Sequence, residues 1–391
     1  MPTVILGGGI IAASIAYYLT EHQQQSQQEI HIIESAPELF SSASGFAAGF
    51  LAKDWFEPSL LPLGEYSFAL HESLAAEHGG DKKWGYMKGT ALSLGSTDAG
   101  AGGARGDDYD PLRLSHFLLE RALSRGVTLH QPAKATAIIQ DSNGTLTGIE
   151  ILNLSTNTIS TLPCTTLIFA TAAWTSSVFT SLFPTSTTTF PIYPLAGYSL
   201  VLRSPRYTAE HEKAVSGQSH AVFTTHPPSC GFSPEMFSRE GGEIYIAGLN
   251  SRGIPVPDSI SELKDKFFQK SEMDKLKSVA NRLMGSLPSG ISESADELSN
   301  VNDLTIVREG LCLRPVAERG VPFVSRVGDE LLGGVKTKRG GGVFVAAGHG
   351  PWGITLSLGT GRVVADLARG LKPQVDISGL GVKEGSAKAK L

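Results

Sequence analysis

The sequence is short of cysteine: Cys164, Cys230 and Cys312 are the three in a chain of 391 residues. So few cannot build a disulfide framework, and they fit a reducing compartment. No uninterrupted apolar run reaches the roughly 20 residues of a membrane-spanning helix, so no membrane partner is expected. Positive charge is not in excess either. The 33 Lys and Arg against 38 Asp and Glu leave a net charge of −5, which offers no footing for nucleic acid or an anionic surface. His, Cys, Asp and Glu do not cluster at metal-ligand spacing, so no metal is expected, and no nucleophile–base pair is signalled. The apolar N-terminus lacks a basic lead-in and a cleavage site, so it does not read as a signal peptide. Without secretion, Asn143-Gly-Thr and Asn153-Leu-Ser are chance glycosylation sequons. Repeats and low-complexity arrays are missing as well. What remains is an ordinary soluble, globular mix, 41% hydrophobic and 18% charged, on a chain long enough for two domains.

The first 34 residues organise the rest. Val4-Ile-Leu is an apolar run suited to a buried parallel strand, followed by Gly7-x-Gly9-x-x-Ala12 and a helical spacing through Ala16 and Leu19. Gly7 permits the tight turn, Gly9 lets a pyrophosphate approach the backbone beside Ile10 and Ile11, and Ala12 keeps helix and strand close. The helix N-terminus then faces the phosphates with free N–H groups and the positive end of its dipole. Glu34 closes a second apolar strand (Ile30, Ile32, Ile33), where a carboxylate can accept both ribose hydroxyls. Strand, turn, helix, strand and acid in this order predict a dinucleotide site, and the acid favours FAD or NAD over NADP.

Further along, Ser41-Ser-Ala-Ser-Gly-Phe-Ala-Ala-Gly-Phe-Leu-Ala52 is a small-residue loop able to lie against a flat ligand. Residues 63–79 read as a helix, 100–108 as an exposed Gly/Ala/Asp loop, and 110–123 as a helix opened by Pro111 and ended by Gly126. A strand at 127–129, a hairpin at Asn143-Gly144 and a buried strand from Leu167 follow. Composition then shifts. Segments 198–202, 221–224 and 243–247 alternate like strands, and Ser259-x-x-Glu262 opens a helix with Ile260, Leu263 and Phe267 inward. A second helix turns Met273, Leu276, Val279, Ala280 and Leu283 inward. A buried strand at 342–348 and a helix at 354–371 return to the first domain. The expected fold is α/β: a Rossmann-type domain (1–75, 105–182 and 305–385) with an inserted mixed sheet and helices (76–104 and 183–304), then a tail at 386–391.

The ordered set resembles the glycine oxidase, D-amino-acid oxidase and sarcosine oxidase superfamily of flavoenzymes. The matches are the fingerprint with Glu34, Ala47-Ala-Gly-Phe-Leu, Gly126-Val-Thr-Leu, Ala170-Thr-Ala-Ala-Trp and Pro191-x-x-Pro194-x-x-Gly197. Leu313-Arg-Pro-Val with Pro322, Ala347-Gly-His-Gly-Pro-Trp-Gly-Ile354 and Gly359-Thr-Gly361 complete them. The resemblance implies FAD. It places Glu34 and Ser35 at the adenosine end and the backbone of Ala135 against adenine. It sets Ser42, Ser44, Ala47, Ala48, Gly49, Phe50 and Leu51 along the pyrophosphate, ribityl chain and flavin ring. Thr171 and Trp174 belong to a cofactor-facing turn, and His349, Gly350, Pro351, Gly353, Ile354 and Thr355 lie under the pyrimidine end of the ring. A helix beginning at Gly353-Ile354 would stabilise negative charge there. Three departures stand out: Ala12 at the third fingerprint position, Ala172 where the turn usually has glycine, and Pro322-Phe-Val-Ser325 after the Arg-Pro pair. The backbone at Ala172 is accordingly expected to differ.

The resemblance also implies oxidation of a C–N bond in a small amine or amino acid, with hydride passing to flavin and O2 reduced to H2O2. An FAD dehydrogenase serving a protein or quinone acceptor, or a flavin-binding regulatory protein, is the alternative. Arg314 would fork onto a substrate carboxylate, an interdomain ion pair being its competing use. Tyr198 and Trp352 would wall the substrate cavity, and Lys53 would sit near the ring. Cys312 occupies the position of a flavin-linking cysteine in sarcosine oxidases, but the attachment expected here is non-covalent. Finally, Ala389-Lys390-Leu391 resembles the Ser-Lys-Leu address read by the peroxisomal import receptor, which predicts a peroxisomal enzyme, with cytoplasm as the alternative.

Overall fold

In the computed structural model the described residues are 1–21, 29–94, 103–214, 217–224, 231–286 and 302–382. The chain opens with β1 (Thr3–Leu6), α1 (Ile10–Thr20), β2 (Ile30–Ile33), β3 (Leu51–Ala52) and α2 (Leu61–His78). Next come α3 (Gly80–Lys83), β4 (Met87–Leu94), β5 (Gly103–Asp108), α4 (Pro111–Ser124) and β6 (Thr128–His130). The strands β7 (Ala133–Gln140), β8 (Leu146–Asn153), β9 (Thr158–Pro163) and β10 (Thr166–Phe169) precede α5 (Thr175–Leu182). The middle of the chain holds β11 (Ile192–Arg203), α6 (Ala209–Ala214), β12 (Ser219–Thr224), β13 (Glu235–Arg239) and β14 (Glu243–Ser251). It closes with α7 (Ile260–Phe267) and α8 (Lys270–Met284), before β15 (Thr305–Ala317), β16 (Phe323–Val327), β17 (Gly342–Ala347) and α9 (Ser357–Ala368).

Three sheets result among the described residues. The first runs β16-β17-β10-β1-β2-β6, parallel except for β16, and is the Rossmann-type sheet expected from the N-terminus. Both of its faces are covered, which explains the continuous apolar runs. Ile5, Ile32, Ile168 and Phe344 point to α1, α4 and α9, while Val4, Ile33, Leu167 and Val343 point to α5 and the β7-β8-β9 sheet. Glycine allows the closest approaches. Gly7 has φ +98°, and a Cβ on it would lie 2.4 Å from the Ala170 carbonyl oxygen. The motif Gly359-Thr-Gly361 lets α9 settle against its neighbours, since Cβ atoms there would meet Ser67 of α2 at 2.7 Å and Ser14 of α1 at 2.6 Å.

The third sheet is the expected hairpin plus one strand, turning at Gly144 with φ +77°. The second and largest runs β15-β11-β14-β13-β12-β4-β5-β3. Its alternation sets up everything that follows. Ala196, Tyr198, Leu200, Ile246, Leu311 and Leu313 face one way, against α7 and α8. Val201, Ala221, Phe237, Tyr245 and Ala247 face the other way, over Ala48 and Phe50 of the small-residue loop. Ser259 caps α7 by accepting from Glu262 N at 3.3 Å, as its spacing predicts.

Several expectations need correcting. Residues 103–108 are strand β5, not exposed loop: β4 and β3 pair with it on either side, and Asp107 and Asp108 are buried. Strand β15 completes the second sheet through its pairing with β11, so a boundary at residue 305 cuts it from its own sheet. Leu283 is exposed, because the inward stripe of α8 ends at Ala280. The last helix begins at Ser357, not Ile354, with one 3-10 turn (350–352) and a short bridging turn ahead of it. The tail 386–391, with its Ala389-Lys390-Leu391 terminus, lies outside the described residues, as does Cys230.

Candidate active site

A cavity of about 360 Å³ lies between the first and second sheets. Its floor comes from two turns of the Rossmann-type domain: Gly9, Ile10 and Ile11 at the start of α1, and His349, Gly350, Pro351, Trp352, Gly353 and Ile354 before α9. One wall is the loop carrying Ser44, Ala47, Ala48, Gly49 and Phe50. The roof is the second sheet, contributing Phe223, Glu235, Phe237, Tyr245, Cys312 and Arg314. Residues from 9 to 354 thus converge, and most of the residues expected at the flavin and pyrophosphate are among them.

The polar backbone at this cavity is arranged for an anionic, electron-accepting ligand. At α1, Ile10 N donates to Ser44 Oγ at 3.0 Å, and a Cβ on Gly9 would come within 3.2 Å of the same oxygen, so the space above Gly9 exists because it is glycine. Glu34 is held at the end of β2 by two amides, Gly8 N on Oε2 at 2.5 Å and Ala36 N on Oε1 at 2.6 Å. Burial pushes its carboxyl up, against the pull of those hydrogen bonds. Before α9, Gly353 N and Ile354 N make no hydrogen bond among the described residues, although α9 itself starts later. The electropositive N–H pair predicted for the pyrimidine end of a flavin is therefore present without a full helix behind it. His71 receives that turn from below, with Nε2 3.2 Å from both the Ile354 and Thr355 carbonyl oxygens, and burial lowers its imidazole to about 4. His349 is buried beside Thr360 Oγ1 at 3.1 Å and lowered to about 3, so it stays neutral.

The loop at 46–50 is fastened from the second sheet. Arg239 donates from Nη2 to the carbonyl oxygens of Ala47 and Ala48, each at 2.7 Å, and from Nε to Ala48 O at 3.2 Å. Tyr245 OH donates to Phe46 O at 3.0 Å, and Thr355 Oγ1 donates to Phe50 O at 3.3 Å. Its carbonyls are thus bound on the far side, while Phe46 N is spent on Ser42 O at 3.2 Å. Gly49 is required here: φ is +109°, and a Cβ would strike Tyr109 O at 1.8 Å. Asp108 lies behind the loop, its carboxyl pushed up to about 8 by burial despite the nearby Arg239 charge.

Arg314 reaches the cavity over Gly197, whose missing side chain makes room: a Cβ there would be 3.0 Å from Nη2. Among the described residues Arg314 makes no hydrogen bond or ion pair, so the competing interdomain ion pair is not formed. Cys312 lines the same cavity as a free thiol raised by burial. Ala172 also lines it and has φ +49°, the left-handed region that glycine fills without strain. The alanine therefore keeps a glycine-like backbone, against expectation, at a cost of roughly 1–2 kcal/mol.

Other expected residues lie elsewhere. Tyr198 does not wall the cavity: β11 turns it to the helix side, where its hydroxyl accepts from Gln269 N at 2.8 Å. Lys53 is exposed and outside the lining. Trp174 also lies outside it, tied by Nε1 to Pro257 O at 2.7 Å, and Thr171 donates to Thr175 Oγ1. Leu51 and Thr355 are buried behind the loop, while Ser35, Ser42 and Ala135 lie off the cavity toward the end of β2, the start of the loop and β7. Tyr245, Glu235, Phe223 and Phe237 were missed. Their signal was the every-second-residue spacing in β12, β13 and β14, undirected until one face was known to cover the loop.

A dinucleotide-type sheet meeting a second sheet across one cavity, with Glu34 at the end of β2 and free N–H groups at Gly353 and Ile354, is the architecture of a flavin oxidoreductase. Comparison with known proteins makes this specific. The model of the DAO family, described as FAD dependent oxidoreductase, matches residues 3–108 and 94–367, and the chain belongs to that family. FAD is its cofactor. A Schizosaccharomyces pombe protein named as an oxidoreductase is 25% identical, covering 93% of each chain. The fold is that of glycine oxidase from Geobacillus kaustophilus (TM-score 0.71, 20% identity, 98% of each chain). It is equally that of L-proline dehydrogenase from P. horikoshii (TM-score 0.70, 14% identity, 97% of each chain). No helix among the described residues is long and apolar enough to cross a membrane.

Proposed function

We propose that this protein oxidises the C–N bond of a small amino acid or a closely related amine. The observation that carries the reading is Arg314, a guanidinium without a hydrogen bond or ion pair among the described residues, in a largely apolar cavity beside the small-residue loop. A guanidinium with its fork unspent suits a carboxylate, and the surrounding Phe50, Phe223, Phe237 and Trp352 exclude water from the reacting carbon. FAD, when bound, would supply the hydride acceptor, with O2 as the proposed oxidant and H2O2 as its product. The chain's own part is orientation: Arg314 fixes the carboxylate, the roof aligns Cα, and Gly353 N and Ile354 N donate to the ligand edge where negative charge grows. Cys312 stays a thiol, so FAD is held without a covalent bond. Lys53, exposed and off the cavity, has no place in this scheme.

The test is a panel of glycine, L-proline, pyrrolidine, iminodiacetate and the D- and L-amino acids, offered to the purified yellow protein in air while peroxide is measured. Peroxide from carboxylate-bearing members supports the reading. Bleaching of the flavin without peroxide would mean another electron acceptor, and no response to any amine would leave a flavin-binding regulatory protein. Peroxisomal residence fits a peroxide producer beside catalase and the Ala389-Lys390-Leu391 terminus. Deleting Leu391 from an N-terminally tagged fusion should then release it to the cytosol, whereas an intact fusion already diffuse would refute the address.

A further inference from the structure

Strand β13 places a carboxylate where its neighbours place aromatic rings. Glu235 pairs across to Phe223 on β12 and to Ala247 on β14, and Phe237 follows two residues on, facing the same way. A phenylalanine at 235 would complete the wall. Instead Glu235 is half-buried and lines the cavity, and among the described residues it makes no hydrogen bond or ion pair. A carboxylate in such surroundings is costly unless something repays it. Arg314 is the charge that acts on it, from beyond ion-pair distance. The cavity thus has two separated, unspent ends of opposite sign, and an amino-acid zwitterion is their complement.

Resting on the amine oxidation proposed above, we infer that Glu235 is the proton acceptor that converts the substrate's ammonium into the neutral amine. The step is balanced within the cavity. An N–H bond of the ammonium breaks and leaves its electron pair on nitrogen, an O–H bond forms on a Glu235 carboxylate oxygen, and the net charge does not change. The freed lone pair is what allows hydride to leave Cα, because an ammonium nitrogen has none to supply. In water this transfer runs uphill. Against the aromatic wall both ions lose hydration, which raises the acid and lowers the ammonium, so the neutral pair is favoured.

The other titratable groups facing the cavity leave this role to Glu235. His349, after β17, is neutral and lowered to about 3; Tyr245 on β14 is raised to about 12; Cys312 on β15 is raised as well. Arg314 on β15 is the partner assigned to the substrate carboxylate. Burial pushes the Glu235 carboxyl up, with the Arg314 charge pulling the other way.

Glu235→Gln preserves shape and removes the acceptor. With the panel amino acid that the wild type turns over fastest, the pH profile of kcat/KM should separate the two proteins. Wild type should hold a plateau well below the substrate's own ammonium pKa. The variant should fall roughly a hundredfold at pH 7, rise about tenfold per pH unit, and converge with wild type once the amine is neutral in solution. Glu235→Asp should keep the plateau with a lower kcat, and flavin content per chain should equal wild type in both. A Gln variant with the wild-type profile, or one reduced equally at every pH, would overturn the role of Glu235 and leave amine oxidation standing. Absence of turnover by the wild type with every amine would overturn both.

Discussion

Arg239 is where the two halves of the site are joined, and Arg239→Met isolates that join. Arg239 is 4% exposed, and its guanidinium makes three hydrogen bonds to the carbonyls of Ala47 and Ala48 and lies 5.1 Å from the centroid of the Tyr245 ring. Methionine fills similar space but leaves two half-buried carbonyls without this partner, each worth about 1–3 kcal/mol. Removing a buried cation returns part of this as relieved desolvation. Asp108 adds no second penalty, since burial already holds its carboxyl up to about 8 and it is mostly neutral at pH 7. A net loss of about 3 kcal/mol in ordering the loop corresponds to FAD binding roughly a hundredfold weaker. Arg239→Lys should recover less than half, because a point charge cannot span both carbonyls. The assay is titration of apoprotein with FAD, followed by flavin fluorescence quenching, beside a melting curve at saturating FAD. A lower Tm with an unchanged Kd would show that Arg239 supports the fold and not the cofactor loop, and would refute the reasoning.

Further expectations concern single residues. Arg314→Ala should lower kcat/KM for a carboxylate-bearing substrate by roughly 2–4 kcal/mol equivalent, the scale of removing one partner of a desolvated charge pair, and Arg314→Lys should rescue it partly; unchanged kinetics would mean the carboxylate binds elsewhere. Gly9→Val should fill the gap beside Ser44 Oγ and give colourless apoprotein, so retention of FAD would remove the pyrophosphate from that turn. Acid precipitation should leave the yellow colour in the supernatant, whereas colour in the pellet that Cys312→Ser abolishes would show a covalent bond. His71 has a folded value of about 4 against 6.5, so its contribution is complete above pH 6.5 and is lost as pH falls toward 4, by about 2 kcal/mol between pH 7 and 5. Asp108 acts in the opposite sense, its raised value favouring the folded state as pH falls below 8, so the quantity to measure is the stability gap between wild type and His71→Asn, which should narrow by that amount at pH 5.

The sequence alone determined the features whose cause is local. Gly7, Gly9 and Ala12 between two apolar runs specify strand, turn and helix by backbone sterics alone, and Glu34 then falls at the end of β2 where the spacing predicts it. The cap at Ser259 and the turn at Gly144 are local in the same sense. The Leu313-Arg-Pro-Val motif marks Arg314 and the adjacent Cys312, and both line the cavity. Tertiary structure decided which side of the second sheet is which. Both faces of that sheet are buried, one by α7 and α8 and one by the loop at 47–50, so alternation gives no sign of direction: Tyr198 reads as a wall and faces helices, while Tyr245 and Glu235 face the cavity. Residues 103–108 read as loop because glycine and aspartate disfavour strands in isolation, yet two partners pair with them and Asp108 is buried there. The same holds for Arg239, an ordinary surface charge by composition, whose role exists because a strand 191 residues beyond Ala48 passes behind Ala47 and Ala48 at hydrogen-bonding distance. Contacts of that range depend on the register of strands far apart in sequence, and register is set by packing that no local pattern encodes.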